Sequence, residues 1–319
     1  MHIDTPDEPQ LELEPAAPAL ANYTGYLLRR AYARAQGCAQ QVLPPRTHPG
    51  EGAIIANLAA GGPASQQDLS ERLRVNRTIM VKLVDKLEAA GLVQRERNPR
   101  DRRSYALVVT ARGHEALQAW GQAADRGEAM LTAALDPDER QRLKHLLRRL
   151  LPDLEAVAPR SLTELTGFLL THAHYRLRER GNQALAPFGI EPRQFAALAA
   201  LEDGGPSPQQ RLARQLGVGG PVVVEIVDEL ERAGLVERHR NPNDRREYAL
   251  RVTATGQERL RQARQAADAV QAEVTAQLGE GGDRELRALL RKLLTAPAIP
   301  RSRGRQDPET ASGGGPPRR

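Results

Sequence analysis

Sulfur and aromatic rings are scarce in this 319-residue chain: one cysteine, Cys38, three methionines, one tryptophan, and only 3% aromatic residues. A lone thiol excludes an intramolecular disulfide framework and fits a reducing compartment. No uninterrupted run of about 18 apolar residues occurs, which excludes a conventional membrane-spanning helix. The first residues are acidic and proline-rich, where a secretory leader would be basic and then apolar. A soluble, cytoplasmic protein with no membrane contact is the expectation. Chemistry-bearing motifs are absent as well: there is no Gly-rich phosphate loop, no Gly-x-Ser-x-Gly and no His-Glu-x-x-His. His48, His114, His145, His172, His174 and His239 supply no i, i+4 ligand pair on a helix, so neither a metal nor a cofactor is expected. A non-enzyme is the reading this favours.

What the chain does have is aliphatic and basic. Hydrophobic residues make up 40%, so packed cores are possible, and abundant Ala, Leu and Arg suit helices packed through aliphatic stripes. A net charge of +6 and a pI near 9.8 point to a polyanionic partner, although charge alone is a weak signal.

Comparison of the chain with itself is far more informative. The stretch Gly91 to Gly113 returns as Gly234 to Gly256, shifted by 143 positions, with Asn98, Pro99, Asp101, Arg102, Arg103 and Tyr105 matching Asn241, Pro242, Asp244, Arg245, Arg246 and Tyr248. The same offset carries Gly61-Gly62-Pro63 onto Gly204-Gly205-Pro206, and Leu143, Leu146, Leu147, Leu150 and Leu151 onto Leu286, Leu289, Leu290, Leu293 and Leu294. Two copies are too few for a solenoid, so each is a complete domain. The expected organisation is a disordered tail over 1–17, domain 1 over 18–151, a linker over 152–160, domain 2 over 161–296 and a disordered basic tail over 297–319. A nine-residue linker reaches at most about 30 Å.

Within the first copy the spacing of Leu20, Tyr23, Leu27, Ala31 and Ala35 predicts a helix from Ala19 to Val42. A second helix from Pro49 to Ala60 is stopped by Gly61-Gly62-Pro63. Ser65 to Asp68 reads as the cap and first turn of a third, and in the second copy Ser207 followed by Pro208 reads the same way. After a break at Arg74-Val75-Asn76 comes a helix that buries Met80, Leu83, Val84 and Leu87. Two short strands follow, Leu92–Arg95 and Tyr105–Val109, joined by an Asn-Pro turn rich in arginine. Thr110 caps a long helix with an apolar stripe through Leu117, Trp120, Ala124, Met130 and Leu131, and a leucine-striped helix ends the repeat. Short helix, tight turn, second helix and basic hairpin together make a winged helix-turn-helix. The expected fold class is mainly α with small β-wings, two such domains being joined by a helical pseudodimerisation bundle.

With Leu69 to Val75, Leu83-Val-Asp-Lys-Leu-Glu, Gly91-Leu-Val, Asp101-Arg-Arg and Val109-Thr-Ala-Arg-Gly113 in this order, the sequence resembles the MarR family of bacterial regulators, twice over. The resemblance implies a transcriptional regulator of double-stranded DNA, and most simply a ligand-responsive repressor. Family members pair as homodimers through their first and last helices, so it also implies a monomeric single-chain pseudo-dimer. The wing arginine that follows the aspartate in the family contacts the minor groove, which maps onto Arg103 and Arg246.

The outer face of the recognition helix in copy one offers Asn76, Arg77, Thr78, Lys82 and Lys86. Arg or Lys pairs with guanine O6 and N7, and Asn with adenine N6 and N7. An ordinary solvated helix face carries the same residue types, and it is the position between a helix-turn and a basic wing that favours DNA. The matching positions in copy two are Gly219, Gly220, Pro221, Glu225 and Glu229. Counting Lys and Arg against Asp and Glu, residues 74–90 carry +2 and residues 217–233 carry −3. Domain 1 is therefore expected to be the main major-groove reader. The wings are basic in both copies, with Arg95, Arg97, Arg100, Arg102 and Arg103 in one and Arg238, His239, Arg240, Arg245 and Arg246 in the other. They grip phosphates or enter the minor groove, or some of them form internal ion pairs.

Members of the family release DNA when a small, often aromatic effector binds. Tyr26, Tyr32, Trp120, His172, His174 and Tyr175 are candidates to line such a site, with ordinary core packing as the alternative for each. Cys38 reads as an inert small side chain. The remaining alternative is a small-molecule-binding or cofactor-free catalytic protein on a repurposed scaffold of the same kind.

Overall fold

The computed structural model describes residues 17–44, 47–97, 105–240 and 248–296, with the side chain of Arg240 left outside. Apart from Ala17, both expected tails lie outside the described residues.

Each repeat builds its helix-turn-helix from local signals. In the first repeat α1 (Thr24–Val42) and α2 (Pro49–Gly61) lead to α3 (Gln66–Leu73), which opens with a capping box: Ser65 Oγ accepts from the Asp68 amide at 3.1 Å while Asp68 accepts from the Ser65 amide. Arg74 ends α3 in the left-handed region at φ 53°, and Asn76 then caps α4 (Arg77–Ala89). The second repeat puts Gly217 in the place of Arg74, at φ 64°, where the missing Cβ removes the strain. The antiparallel wing strands β1 (Val93–Arg97) and β2 (Tyr105–Val109) pair Val93 with Val109, and the chain enters α5 (Ala111–Leu131) under a Thr110 cap. Gly113 is required here, because a Cβ would lie 2.1 Å from the Leu92 carbonyl oxygen; Gly256 meets the Leu235 carbonyl in the same way. The first repeat closes with α6 (Pro137–Leu150).

Two helical turns, α7 (Leu154–Val157) and α8 (Arg160–Thr163), connect to the second repeat, and Leu154, Ala158 and Leu162 are buried there. The second repeat runs α9 (Thr166–Leu185), α10 (Pro192–Gly204), β3 (Ser207–Pro208), α11 (Gln209–Leu216), α12 (Gly220–Arg232), β4 (Val236–Arg240), β5 (Tyr248–Val252) and α13 (Ala254–Leu294). Two local expectations change. The first helix starts at Thr24 rather than Ala19, because Pro18–Leu20 forms a separate 3₁₀ turn and Tyr23 is extended. Ser207 is not a helix cap: it pairs with Leu250, adding a third strand to the second wing, where the first repeat has only an Ala64–Leu107 bridge. Gly279, at φ 76° and ψ 155°, breaks α13 into two helical segments at the position equivalent to Asp136, the cap of α6.

Helices α1, α5, α6, α9 and α13 form the bundle between the winged units. Leu143, Leu146, Leu147 and Leu150 of α6 and their repeats Leu286, Leu289, Leu290 and Leu293 of α13 are buried. Tyr32 and Tyr175, equivalent residues of the two repeats, meet ring to ring at 5.8 Å with their hydroxyls 3.5 Å apart, so the pseudo-two-fold axis passes between them. The first helix of each repeat is capped by the other repeat. The Thr24 amide donates to Gln271 Oε1 at 2.8 Å, and the Thr166 amide donates to Glu128 Oε2 at 2.9 Å. Gln271 and Glu128 are themselves equivalent positions, and each satisfies an amide that the helix start leaves unpaired.

The cap on Thr24 is reinforced by Asp283, 1% exposed, which accepts from Thr24 Oγ1 (2.8 Å), Thr275 Oγ1 (3.0 Å) and Gln271 Nε2 (3.1 Å) and pairs with Arg287. Truncating one member of a buried charged network leaves the others unpaired. Asp283→Ala is thus expected to lose about 3 kcal/mol of stability, on the scale of a broken buried pair, read as a drop in the urea midpoint; an unchanged midpoint would remove the network from the account of pairing. Burial also holds His172 and His174 neutral, at pKa values of about 4 and about 3. The unfolded chain protonates both near pH 6.5, so their contribution is complete above that pH and erodes as pH falls toward 4. Calorimetry between pH 7 and 5 should show Tm falling, and His174→Gln should flatten that slope; an identical slope would show that His174 is not its source.

Candidate nucleic-acid interface

Recognition helix α4 buries Met80, Leu83, Val84 and Leu87 and turns Arg77, Thr78, Val81 and Lys82 to solvent. Asn76, expected on the reading face, has its Oδ1 occupied as the helix cap, accepting from the Thr78 amide at 2.8 Å. Lys86 is held within the fold: its Nζ donates to Glu51 Oε1 at 2.7 Å, and Glu51 is buried. The second repeat keeps that tie with different chemistry, Glu229 accepting from Gln194 Nε2 at 2.8 Å and from Arg193 at 3.1 Å. Position 86 and its equivalent 229 therefore fasten the recognition helix to the helix behind it. The free face of α12 begins with Gly220, Pro221 and Val224, and Glu225 lies 3.5 Å from Arg193.

The wing strands divide in the same manner. Arg95 of β1 binds Asp85 at 2.7 Å and also Glu88, both on α4; Arg238 of β4 binds Asp228 at 2.5 Å and also Glu231, both on α12. These four acids and two arginines are equivalent across the repeats. The hydrogen bond to Asp85 raises the already high pKa of Arg95 further, so the brace is permanently charged. Its guanidinium points back at the recognition helix and fixes the angle of the wing. Arg97 is exposed on β1, and His239 Nε2 lies 2.6 Å from Glu237. Arg100, Arg102, Arg103, Arg245 and Arg246 lie outside the described residues, as does the side chain of Arg240. Sequence reasoning passed over Tyr105 and Tyr248, 61% and 53% exposed at the same repeat position where the second strand leaves the wing. It also passed over Val81, exposed beside Lys82. An apolar side chain at equivalent solvent-facing positions of both copies is the signal that marked them.

Behind the first winged unit lies a cavity of about 1620 Å³, larger than the roughly 300–1,000 Å³ of usual small-molecule sites. Of the six candidate effector residues, Tyr32, Trp120 and Tyr175 line it. The other three are accounted for by packing. Tyr26 donates to the Gln215 carbonyl at 2.5 Å, His172 packs on Phe168 at 4.3 Å, and His174 stacks on Tyr32 at 4.8 Å. Phe168, His48 and the arginines Arg29, Arg34, Arg74, Arg77, Arg178 and Arg214 complete the aromatic and cationic lining. The cavity reaches Asn76, Arg77 and Ile79 at the start of α4. Cys38 is buried within the bundle on α1, and burial raises its thiol pKa, away from the range of a reactive thiolate. Among the described residues, no helix is long and apolar enough to cross a membrane.

Models of the MarR family match residues 49–105 and 188–247, one in each repeat. Three curated proteins are similar to the chain over about a third of its length. A Thauera aromatica protein named for transcriptional regulation of the hcr operon is 37% identical over 102 residues, 32% of this chain and 61% of its own. The HTH-type transcriptional regulator YdcH of Bacillus subtilis, itself uncharacterised, is 34% identical over 98 residues, 30% of this chain and 67% of its own. The HTH-type transcriptional repressor NicR of Pseudomonas putida is 33% identical over 98 residues, 31% of this chain and 62% of its own. The chain thus spans about three-fifths to two-thirds of the length of each.

The brace between wing and recognition helix should be measurable without DNA. A double-mutant cycle of Arg95→Ala and Asp85→Ala is expected to give a coupling of about 0.5–1 kcal/mol in urea denaturation, the usual size for a partly exposed ion pair. Strict additivity would mean that the pair does not orient the wing.

Proposed function

Since the chain belongs to the MarR family, with one unit of it in each half, we propose that it is a DNA-binding transcriptional regulator that acts in the cytoplasm as a single-chain pseudo-dimer. The two halves take the place of two subunits, as the reciprocal caps at Thr24 and Thr166 and the Tyr32–Tyr175 contact support. Domain 1, residues 18–151, is the major-groove reader. The single observation that carries this is the contrast between equivalent helix faces: Arg77, Thr78, Val81 and Lys82 on α4 against Gly220, Pro221, Val224 and Glu225 on α12. Arg77 and Lys82 supply donors for guanine, and Val81 supplies an apolar contact of the kind that suits a thymine methyl. On α12 no side chain at these positions donates to a base edge. Domain 2, residues 161–296, contributes chiefly its wing, through Arg245, Arg246 and Tyr248, to backbone grip.

The internal hydrogen bonds and ion pairs support a shorter list of reading residues. Asn76 positions α4 as its cap, Lys86 anchors it through Glu51, and Arg95 and Arg238 orient the wings. The contacts with DNA are left to Arg77, Thr78 and Lys82, to Arg97, Arg100, Arg102 and Arg103, and to the outer wing residues of copy two. The cavity is the effector site of the regulator: its rings at Tyr32, Trp120, Phe168 and Tyr175 and its arginines suit a small anionic aromatic compound. Because its wall includes the start of α4, occupancy bears directly on DNA release and gives the repressor its response. The relatives are named as regulators, and the reading for this chain is likewise a regulator rather than an enzyme.

Fluorescence anisotropy on duplexes from the promoter region beside its own gene tests this, with the mass of the complex measured by light scattering. One chain per operator and salt-sensitive, sequence-preferring binding are expected. Arg77→Ala and Lys82→Ala should each weaken specific binding about tenfold or more, on the scale of one base contact, while Glu225→Ala should leave it within twofold. Equal losses on both helices would overturn the asymmetry. Obligate pairing of two chains would overturn the pseudo-dimer, and binding without sequence preference would overturn the regulator.

A further inference from the structure

The two winged units are attached to the bundle differently. Buried apolar side chains of the second unit, among them Phe195, Leu198, Val223 and Leu250, form one continuous core with Leu27, Leu147 and Leu290 of the bundle. The core of the first unit, including Ile54, Met80, Leu87 and Leu107, is separate, with Leu162, Leu165 and Phe168 of the second repeat packed against it. Where the second unit is welded to the bundle, the first borders the cavity.

Single positions explain the difference. Gly52, on the cavity wall, corresponds to Phe195, which is 6% exposed. Trp120, facing Gly52 at the partly exposed rim, corresponds to the fully buried Ala263. Thr166, buried between the cavity-lining Leu165 and Gly167, corresponds to Tyr23, whose ring meets Phe195 edge-on at 5.7 Å and whose hydroxyl donates to Asp268 at 2.6 Å. The turn Pro18–Leu20 packs on α10 beside them, with Leu20 1% exposed. On the second side the rings of Tyr23 and Phe195 thus pack into the continuous core, whereas on the first the ring is that of Trp120, lying over Gly52 at the partly exposed rim of the cavity.

We infer that the chain takes up one effector molecule, in the cavity of the first repeat, and that only the first winged unit shifts in response, the second being a fixed counterpart. The inference rests on the reading of the cavity as an effector site. A ligand there touches Tyr32 and Tyr175 on the bundle, Asn76 and Arg77 at the start of α4, and Arg214 and Gly217 at the end of α11, so it reaches the reading helix directly and meets the second unit only where α11 is held in the continuous core through Leu212, Ala213 and Leu216. A two-subunit regulator with equal halves presents two such sites; here the duplication has left one site and one moving head.

The full-length chain can be titrated with 1-anilinonaphthalene-8-sulfonate, an anionic aromatic probe. Calorimetry gives the stoichiometry, and Trp120, the single tryptophan of the chain, reports cavity occupancy through quenching. Hydrogen exchange is followed with and without the probe. One equivalent per chain is expected, with new protection in α3 and α4, at most a local effect at the Arg214 end of α11, and none in α12. Without the probe, α3 and α4 should exchange at least tenfold faster than α11 and α12. Gly52→Phe combined with Trp120→Ala, which transplants the pair found in the second repeat, should weaken binding at least tenfold. The unliganded exchange rates test the inference even if that variant does not fold. Two equivalents, or equal exchange and equal protection in both units, overturns the inference and leaves the effector site standing. No binding to the wild-type chain overturns the reading of the site, and the inference with it.

Discussion

Everything in this molecule depends on two helix starts that cannot complete their own hydrogen bonding. The amides of Thr24 and Thr166 open the first helices of the two repeats, and each is satisfied by a side chain from the other repeat, Gln271 and Glu128. A buried unpaired amide costs on the order of 1–3 kcal/mol, so each repeat is complete only against its twin. The leucine stripes of α6 and α13 provide the burial, and these caps provide the register. Tyr32 meeting Tyr175 on the pseudo-axis follows from that register.

Around this joint the two halves have spent the same positions differently. Asp283 strengthens the cap on Thr24, while its equivalent, Arg140, has no such role. Position 86 and its repeat 229 both fasten the recognition helix to the helix behind it, once as Lys86 on Glu51 and once as Glu229 on Gln194 and Arg193. The sign of the charge changed and the contact survived. Net charge along the helix therefore overstates the electrostatic difference at the DNA, since Glu229 and Lys86 are both engaged internally. What remains distinct is the first turn and the face beside it, Arg77, Thr78 and Lys82 against Gly220, Pro221 and Glu225.

The braces Arg95 and Arg238 show why a basic wing cannot be counted arginine by arginine. Each sits between two acids of its own recognition helix, and both copies preserve all three residues. Their work is to set the wing angle. The same economy governs the aromatic residues: of the six candidates by type, Tyr26, His172 and His174 pack and bond within the bundle, while Tyr32, Trp120 and Tyr175 line the cavity together with Phe168.

The repeat, its winged helix-turn-helix and the buried leucine stripes were legible in the sequence because they rest on local spacing: capping boxes, glycines at turns, and apolar periods of helix and strand. So was the difference between the two recognition helices, since equivalent positions can be compared by offset alone. Pairing partners were not legible, because a cap such as Thr24 on Gln271 joins residues 247 apart and no local pattern marks it. Nor was the start of α1 at Thr24, where an extended Tyr23 serves packing on Phe195 rather than helix continuity. Which arginines face solvent and which face an aspartate is a question of strand and helix orientation, and only the tertiary structure answers it. The cavity belongs to the same class: Gly52 and Phe195 are ordinary helix residues in sequence, and it takes the folded bundle behind them to place one under Trp120 on a cavity wall and to make the other a plug.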